Sequence, residues 1–327
     1  MRAAYYDTTG PATEVLRVGE LPDPQPGPGE VLVRVTLSGV NPGDTKKRAG
    51  WTGAPMPYPR VVPHSDAAGV VEAVGAGVAP SRVGRRVWVR GAQSYRAGGT
   101  AAELTAVPER LATDLPDTVG DVLAACLGIP GVTAHRAVFG DGPVSGRTVL
   151  VHGVLGGVGS LAAQLAVWGG ARVLGTVRSG ADLAEVALPG VTVFALDRPG
   201  VAEPVRTAAG GGVDRVVEVS FSDNLDLDAA VLRNGGVLAA YGTRDARPVL
   251  DFWPLLFANT TIRLLGSDDF PADAVDAAVQ DLTTAAESGA IAVPDADVLP
   301  LERVAEAHDR IDAGTRRRQL VAPSPQT

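Results

Sequence analysis

The sequence has little cysteine: Cys126 is the one cysteine among 327 residues. This excludes an internal disulfide and a cysteine-rich metal lobe, and the Ala/Leu-rich stretch around Cys126 predicts a buried core thiol. The sequence also lacks any run close to the roughly 18 apolar residues of a membrane span, and its N-terminus lacks the apolar core of a signal peptide. An excess of positive charge is absent too, because the formal net charge is −8. A nucleic-acid or anionic-membrane partner is therefore disfavoured, and the expected location is the cytoplasm.

The pattern of the chain changes near residue 125. Before this point, short β-type runs at 30–37, 68–75 and 84–91 alternate with clusters of proline and glycine, which is typical of a small barrel-like β domain. After it, β-branched runs alternate with helical segments, as in a doubly wound parallel sheet. A last helix is predicted from about 272 to 288, and the tail RQLVAPSPQT predicts one more strand, which returns to the first domain. The chain is therefore predicted to be an α/β protein of two domains.

A dense cluster of glycines follows the buried strand predicted at 148–152, and a helix is predicted to begin within it. The cluster consists of Gly153, Gly156, Gly157 and Gly159, and Val158 lies among them. Glycine lets the chain turn sharply, approach a ligand closely and pack the helix on the strand. The free amide groups of the helix N-terminus can bind a pyrophosphate. Because the cluster joins a strand, a helix and a second strand, it predicts a dinucleotide site; a tight turn without a ligand is the alternative.

Several motifs then occur in one order along nearly the whole chain. They are GVNPGDTKKRAG (39–50), PHSDAAGVVEAVGAGV (63–78), LGIPGVTAHRAV (127–138), VHGVLGGVGSLAAQLA (151–166), VEVSFSDNLDLDAAVLRNGGVLAAYG (217–242) and RQLVAP (318–323). In these motifs the chain resembles the medium-chain dehydrogenase/reductase superfamily. Within it, the chain is similar to the zinc-independent quinone oxidoreductases, the zeta-crystallin-like branch.

The resemblance implies a GroES-like, β-barrel-type catalytic domain (1–124 and 267–327) and a Rossmann NADP-binding domain (125–266). It also implies a cleft that holds the nicotinamide between them, and a homodimer built by pairing the edge strands of two Rossmann sheets. The run NTTIRLLG (259–266) is the candidate edge strand, and an interior strand is the alternative. An exposed apolar edge strand favours aggregation unless it is covered, which supports the dimer.

The resemblance also bears on metal. Zinc-dependent relatives carry a cysteine near the position of Asn41 and a His–Glu pair near Ser65 and Asp66, so these positions lack the usual ligands. His64 takes the position of the glycine before that pair, and the other histidines are scattered, whereas zinc needs three or four convergent ligands. No metal is therefore expected. Without a strong Lewis acid the site suits acceptors that are already electrophilic, such as quinones and α,β-unsaturated carbonyls, with the protein positioning the partners.

The predicted catalytic group begins at Asn41, which in the family lies beside the nicotinamide ribose and the substrate. A turn asparagine that caps the following helix is its alternative. Asp44 and Arg48 follow four residues apart, and for them a solvated i,i+4 ion pair is as reasonable as a catalytic role.

Three further residues are candidates for the substrate pocket. Lys46 replaces a tyrosine of many family members, so it could bind an anionic substrate, stabilise an enolate or point to solvent. Trp51 and Tyr58 could form an aromatic wall for a planar acceptor, or simply pack. The lysine puts a direct transfer of quinone specificity in doubt.

Candidate cofactor contacts lie in the second half of the chain. Besides the glycine cluster they are Thr133, Arg178, Ser179, Ser220, Tyr241 and Gly242, of which Thr133 matches a family threonine near the nicotinamide carboxamide. Arg178 stands about 20 residues past the glycine turn, where an NAD-binding unit places an acidic residue, so it predicts recognition of the 2′-phosphate of NADPH. Asp182 fits a capping box with Ser179 and is interpreted as structural, and the run 316–318 as a solvated helix end.

Together these features predict a cytoplasmic, NADPH-dependent, zinc-free oxidoreductase of the quinone reductase type. An enoyl or enone reductase of the same fold is the first alternative. A non-enzymatic, cofactor-binding structural protein is the second, because crystallin-like roles occur in this family.

Overall fold

The computed structural model describes residues 1–293 and 296–324, and the chain divides into two compact units. Unit 1 contains Met1–Pro130 and the segment from Ala292 onward, and unit 2 contains Gly131–Ile291. The predicted boundaries differ from this division, since the prediction placed 125–130 in the Rossmann domain and 267–291 in the first domain. The difference arises because the helix Ala272–Glu287 packs against the helix Val132–Phe139 of unit 2.

Unit 1 is mainly β structure. Its strands are β1 (Arg2–Tyr5), β2 (Arg17–Glu20), β3 (Glu30–Val40), β4 (Asp66–Val74), β5 (Arg86–Val89), β6 (Leu104–Pro108), β7 (Ala112–Asp114), β14 (Ala296–Pro300) and β15 (Arg318–Ala322). Its helices are α1 (Ala12–Val15), α2 (Pro42–Ala49), α3 (Asp121–Ala124) and α10 (Val304–Asp312), with a π-helical turn at Leu127–Gly131.

The long strand β3 organises unit 1, because it pairs with β4, β6 and β15, all antiparallel. The apolar side chains of Val31, Val33 and Val35 alternate along β3 and enter one buried cluster, as expected for a strand with one core face. The register between β3 and β4 shifts at two bulges, which bend the sheet toward a barrel. The predicted C-terminal strand is confirmed, since β15 pairs with the end of β3; the last three residues of the predicted tail lie outside the described residues.

Unit 2 is a doubly wound parallel sheet. Its strands are β8 (Thr148–Val151), β9 (Arg172–Val177), β10 (Val191–Ala195), β11 (Val213–Glu218), β12 (Leu232–Ala240) and β13 (Thr261–Leu264). Its helices are α4 (Val132–Phe139), α5 (Gly157–Trp168), α6 (Ala202–Ala209), α7 (Phe221–Val231), α8 (Phe252–Phe257) and α9 (Ala272–Glu287).

The strand order in unit 2 is β10-β9-β8-β11-β12-β13, all parallel. This is the Rossmann order, with the switch point between β8 and β11, where such sheets bind ligands at their carboxyl ends. Strands β8 and β11 are buried throughout, which explains the apolar run of β8 and the valines of β11, whereas the charged residues of β11 are buried as well. The run 259–266 forms β13, the edge strand, as predicted. The segment after β9 forms a short 3-10 turn at Gly180–Glu185.

Within the described ranges, none of the helices is both long enough and apolar enough to cross a bilayer.

Candidate functional site

The glycine cluster forms an open turn between β8 and α5. Gly153 has φ +67°, a conformation that other residues rarely adopt. A Cβ at Gly159 would overlap the carbonyl oxygen of Gly153, so this first helical turn can lie on the strand end only without a side chain. Gly156 is the N-cap of α5, and no side chain caps its amide groups. These amides and the helix dipole therefore fit a pyrophosphate, and binding at this turn stays a prediction.

The carboxyl ends of the neighbouring strands meet beside this turn. Val219, which follows β11, lies close to both Gly153 and Gly242. A Cβ on Gly153 would be 3.2 Å from its Cγ1, and a Cβ on Gly242 would overlap its carbonyl oxygen. Ser220 is the N-cap of α7, and its hydroxyl donates to Asp223 at 2.6 Å. Tyr241 follows β12, and its amide donates to the carbonyl of β11's last residue. The predicted residues of three strand ends are thus brought to one edge of the sheet.

Thr133 lies elsewhere in unit 2, in the first turn of α4, where it is buried. Its role beside the nicotinamide stays a prediction.

The end of β9 carries the charges that could select the cofactor. Arg178 is exposed, directly after the strand. Ser179 and Asp182 form the predicted capping box, with the Ser179 amide donating to the Asp182 carboxylate at 3.0 Å, so Asp182 has a structural role. The guanidinium of Arg198 lies against Gly180, since a Cβ there would be 3.4 Å from its Nη2. Arg178 and Arg198 therefore both lie near the end of β9, where a 2′-phosphate is expected, as does the carboxylate of Asp197, which accepts from the amide of Gly180 at 3.1 Å.

A buried ionisable cluster lies beneath the glycine turn. His152 donates or accepts at both ring nitrogens, with Thr176 Oγ1 at 2.8 Å from Nδ1 and Asp228 Oδ1 at 2.8 Å from Nε2. The carboxylate of Glu218 is 3.5 Å from the same Nε2. Burial acts to lower the pKa of His152, but the carboxylates of Asp228 and Glu218 outweigh it and raise that pKa. Burial also raises the pKa of Glu218 to about 7, against the opposing charge of His152.

In unit 1, Asn41 is held at both ends of its side-chain amide. Its Nδ2 donates to Asp66 Oδ2 at 2.7 Å, and its Oδ1 accepts from Arg318 Nη2 at 3.1 Å. Asn41 also sits at the N-cap of α2, and its backbone amide donates to Asp44 Oδ2 at 2.8 Å. The residue is thus both a helix cap and the centre of a buried polar group.

Asp44 and Arg48 are both buried, so the solvated ion pair considered from the sequence is wrong. Arg48 instead binds the carboxylate of Asp312 and the carbonyl of Gly10, and so joins α2 to α10 and to the N-terminal segment. Asp44 stays a candidate site residue through its contact with Asn41.

Lys46, Trp51 and Tyr58 lie on the surface of unit 1. The Nζ of Lys46 is 5.9 Å from the ring centroid of Trp51, within range of a cation–π contact. Tyr58 packs partly against the core and donates its hydroxyl to the carbonyl of Tyr95. Lys46 and Trp51 are therefore paired with each other, whereas Tyr58 is anchored to a different segment.

The positions that would hold zinc form a hydrogen-bonded network of other groups. Asp66 is fully buried, and both its carboxylate oxygens are engaged, Oδ2 by Asn41 and Oδ1 by the amide of Ile129 at 2.8 Å. His64 turns away, to Ser38 and His308, and Ser65 is buried beside it. With an amide and a hydroxyl in place of a thiolate and an imidazole, these residues do not fit a zinc site. In the described part of the chain, the one group with metal-ligating geometry is His152, Glu218 and Asp228.

Sequence reasoning missed Arg318, Arg198 and Glu218. The run 316–318 was interpreted as a solvated helix end, but this is wrong for Arg318, which is buried in β15. Arg198 carries no local signal, because only the pairing of β9 with β10 brings it to Gly180. An acidic residue at the end of a buried strand was the available signal for Glu218.

Comparison with protein families matches both parts of the chain. Residues 27–117 match the model described as "Alcohol dehydrogenase GroES-like domain", and residues 157–280 match "Zinc-binding dehydrogenase". The second description concerns a family that includes zinc enzymes, and the geometry around Asn41 departs from such a site.

Individual proteins are similar over most of their length. The quinone oxidoreductase of Homo sapiens is 32% identical over 322 residues, covering 96% of this chain and 95% of that protein. A 2-haloacrylate reductase from Burkholderia sp is 36% identical over 259 residues, covering 74% and 73%. A mycobacterial protein whose structure was solved with NADPH superposes with a TM-score of 0.83 at 30% identity, covering 99% of this chain and 100% of that one.

Proposed function

The chain belongs to the medium-chain dehydrogenase/reductase superfamily, in its quinone oxidoreductase branch, and on this basis we propose that it is an NADPH-dependent, zinc-independent reductase of quinones or similar activated carbonyl compounds. The observation that carries the proposal is the open glycine turn at the switch point of unit 2, together with the arginines at the end of β9. A cytoplasmic location is part of the proposal, since Cys126 is a free thiol and forms no disulfide.

The residues of unit 2 bind and orient the cofactor in this proposal. The amides at the start of α5 hold the pyrophosphate, and Gly153 and Gly159 leave the space for it. Arg178 and Arg198 bind the 2′-phosphate, which a guanidinium recognises with paired donors. When bound, NADPH supplies a hydride.

The residues of unit 1 position the acceptor in this proposal. An amide has two N–H groups, and Asp66 accepts one from Asn41, so the other can donate to a bound ligand. Hydride addition to a quinone or to the β-carbon of an enone leaves a delocalised oxyanion, which a hydrogen bond stabilises and which takes its proton from water. No Lewis acid is required for such acceptors.

Reduction of an α,β-unsaturated acid is the second candidate function. It is favoured by the likeness to a 2-haloacrylate reductase and by Lys46, whose exposed ammonium could pair with a carboxylate. In this case the acceptor would carry its negative charge near Lys46.

We also propose that two chains pair through the β13 edges of their sheets. Leu264 on β13 is 74% exposed, and Phe257 and Trp253 of the neighbouring α8 are 72% and 64% exposed. An apolar surface of this kind beside a free strand edge is typical of an interface between subunits.

The test is NADPH oxidation with three acceptors: a simple naphthoquinone, a 2-enoyl thioester and 2-chloroacrylate. Turnover of the quinone supports the first proposal, and turnover of the enoyl substrates alone supports reduction of a conjugated double bond. Cofactor binding without turnover of any acceptor would indicate a structural role instead. Lys46→Tyr should change the ranking of the acceptors and leave cofactor affinity unchanged; an unchanged ranking would remove Lys46 from the pocket.

A further inference from the structure

The centre of unit 1 holds an amide between two opposite charges. Asn41, Asp66 and Arg318 are 3%, 0% and 8% exposed, so solvent screens their contacts little. A carboxylate only accepts hydrogen bonds and a guanidinium only donates them. Asp66 must therefore face the NH2 group of Asn41, and Arg318 must face its oxygen, so the amide can adopt one orientation only.

Asp66 itself is fixed by the backbone. Its Oδ1 accepts the amide of Ile129 at 2.8 Å, and it touches Gly128 so closely that a Cβ there would overlap this oxygen. Gly128 interrupts the helical conformation of its segment, with φ −62° and ψ −113°. The carboxylate is thus held by a segment that is shaped around it.

Arg318 is fixed on the opposite side. It is the first residue of β15, and its Nε donates to Cys126 Sγ at 3.4 Å while its Nη2 donates to Asn41. Burial alone would lower the pKa of this guanidinium, but the thiol and the carboxylates of Asp66 and Asp44 raise it. The group therefore remains a cation inside the protein.

We propose that Arg318 and Asp66 are positioning residues for Asn41, and that the guanidinium of Arg318 is the resident cation of this centre in place of a metal ion. The inference rests on the proposed function, in which Asn41 donates to the bound ligand. Burying a carboxylate is costly without a compensating positive charge, and the guanidinium of Arg318, on the other side of Asn41, supplies that charge. It also keeps the donating N–H of Asn41 in one direction.

The first test uses kinetics with NADPH and the best acceptor of the wild type. Arg318→Gln is expected to lower kcat 10- to 100-fold and to change the KM for NADPH less than about 3-fold. Arg318→Lys keeps the positive charge but not the planar arrangement of guanidinium donors, so it should recover part of the loss in kcat. Because Arg318 acts through Asn41, Arg318→Gln should cause no further loss in an Asn41→Ala background. A folded Arg318→Gln protein with wild-type kcat, or an equal loss in both backgrounds, would overturn the proposal.

The matched control is Arg215→Gln. Arg215 is also buried and paired with a carboxylate, Asp141, but it belongs to unit 2. This variant should lower the melting temperature and leave kcat unchanged. If it lowers kcat as much as Arg318→Gln does, the effect of Arg318 is general destabilisation.

A second readout needs no turnover. The chain has four asparagines, so selective 15N-asparagine labelling gives four side-chain amide signals, and Asn41→Ala assigns one of them. The signal of the Asn41 amide should shift in Arg318→Lys and in Asp66→Asn but not in Arg215→Gln. An unshifted signal would contradict the positioning of Asn41 by Arg318 and Asp66.

Elemental analysis should find no stoichiometric zinc. One zinc per chain would contradict the proposal that the guanidinium of Arg318 takes the place of a metal ion. A wild type that reduces no acceptor would refute the proposed function. The amide signal would still show whether Arg318 and Asp66 position Asn41.

Discussion

His64 and His308 share one hydrogen bond between their Nε2 atoms, 2.9 Å apart, in the interior of unit 1. This hydrogen bond belongs to a network that continues from His64 through Ser38 to Thr100, and the donors in it follow from the contact of Thr100. Thr100 donates to the carbonyl of Asp66, so Ser38 donates to Thr100 and His64 Nδ1 donates to Ser38. Because burial lowers the pKa of His64 and keeps its ring neutral, its Nε2 is then an acceptor. Both rings are neutral, and the ring of His308 carries its hydrogen on Nε2.

This pair predicts a loss of stability in acid. Burial lowers the pKa of His64, helped by His308, and lowers that of His308 to about 3. In the unfolded chain both rings take up protons below about pH 6.5, whereas in the folded chain they do not. The contribution of this pair to the free energy of unfolding should therefore fall as the pH drops below 6.5, by about 1–3 kcal/mol between pH 7 and 5.5.

Urea unfolding at pH 7.0, 6.0 and 5.5 measures this dependence. His308→Gln should reduce the slope, although it also lowers stability at pH 7. Arg215→Gln is the control, because it introduces no group that titrates in this range and should shift all three values equally. An unchanged slope in His308→Gln would show that this ring is not the titrating group.

Glu218 predicts the opposite dependence over an overlapping pH range, so the wild-type profile is the sum of the two contributions and the variants separate them. Its pKa is raised by burial to about 7, so between about pH 4.5 and 7 the folded chain holds a proton that the unfolded chain has lost. Stability should therefore decrease as the pH rises through this window, by about 1–3 kcal/mol, and remain lower above it. The raised pKa of His152 acts in the same direction above about pH 6.5.

Glu218→Gln should flatten the decrease between pH 5 and 8. Glutamine keeps an oxygen that can accept from Ser220 and Asn224, so the turn after β11 should be retained. Glu72→Gln, at an exposed ion pair with Arg34, is the control and should keep the wild-type pH profile. A Glu218→Gln protein with an unaltered profile would show that the proton resides elsewhere in the cluster.

Much of the fold could be predicted because its signals are local. The glycine turn, the alternation of strands and helices, and the capping box at Ser179 each depend on a few consecutive residues. Arg318 could not be placed in this way, since its burial depends on the pairing of β15 with β3, almost 300 residues earlier. Likewise, α9 was assigned to the wrong part of the chain because its packing partner, α4, is distant in sequence.

His64 illustrates a different difficulty. Its φ of +74° is a conformation that favours glycine, and the family resemblance places a glycine there. The backbone strain at His64 is offset by a long-range contact, the hydrogen bond to His308. No local sequence pattern predicts that contact.

Cofactor choice gives a further prediction. Arg178→Ala should weaken NADPH binding roughly 10- to 100-fold and change NADH little, because a charged hydrogen bond contributes about 1.5–3 kcal/mol and NADH lacks the 2′-phosphate. Arg198→Ala should act in the same direction. The measurement is kcat/KM for both cofactors.

The control for this prediction is Arg172→Ala, at the opposite end of the same strand, where the side chain is also exposed. It should leave both cofactors unaffected. A wild type that prefers NADH, or equal losses for both cofactors in Arg178→Ala, would show that Arg178 does not recognise the phosphate.

The edge of unit 2 gives the last prediction, on assembly. Leu264 and Ile262 alternate on β13, beside the stacked rings of Trp253 and Phe257, which lie 6.0 Å apart. If two β13 edges pair, Leu264→Lys places like charges near the two-fold axis and removes apolar contact, so the dimer should dissociate at micromolar concentration. Sedimentation velocity of wild type and variant measures the change. Val298→Lys is the matched control, because Val298 is a 40% exposed apolar residue on β14, the edge strand of the other sheet, and this variant should remain dimeric. A monomeric wild type, or a Leu264→Lys protein that stays dimeric, would place the subunit interface elsewhere or remove it.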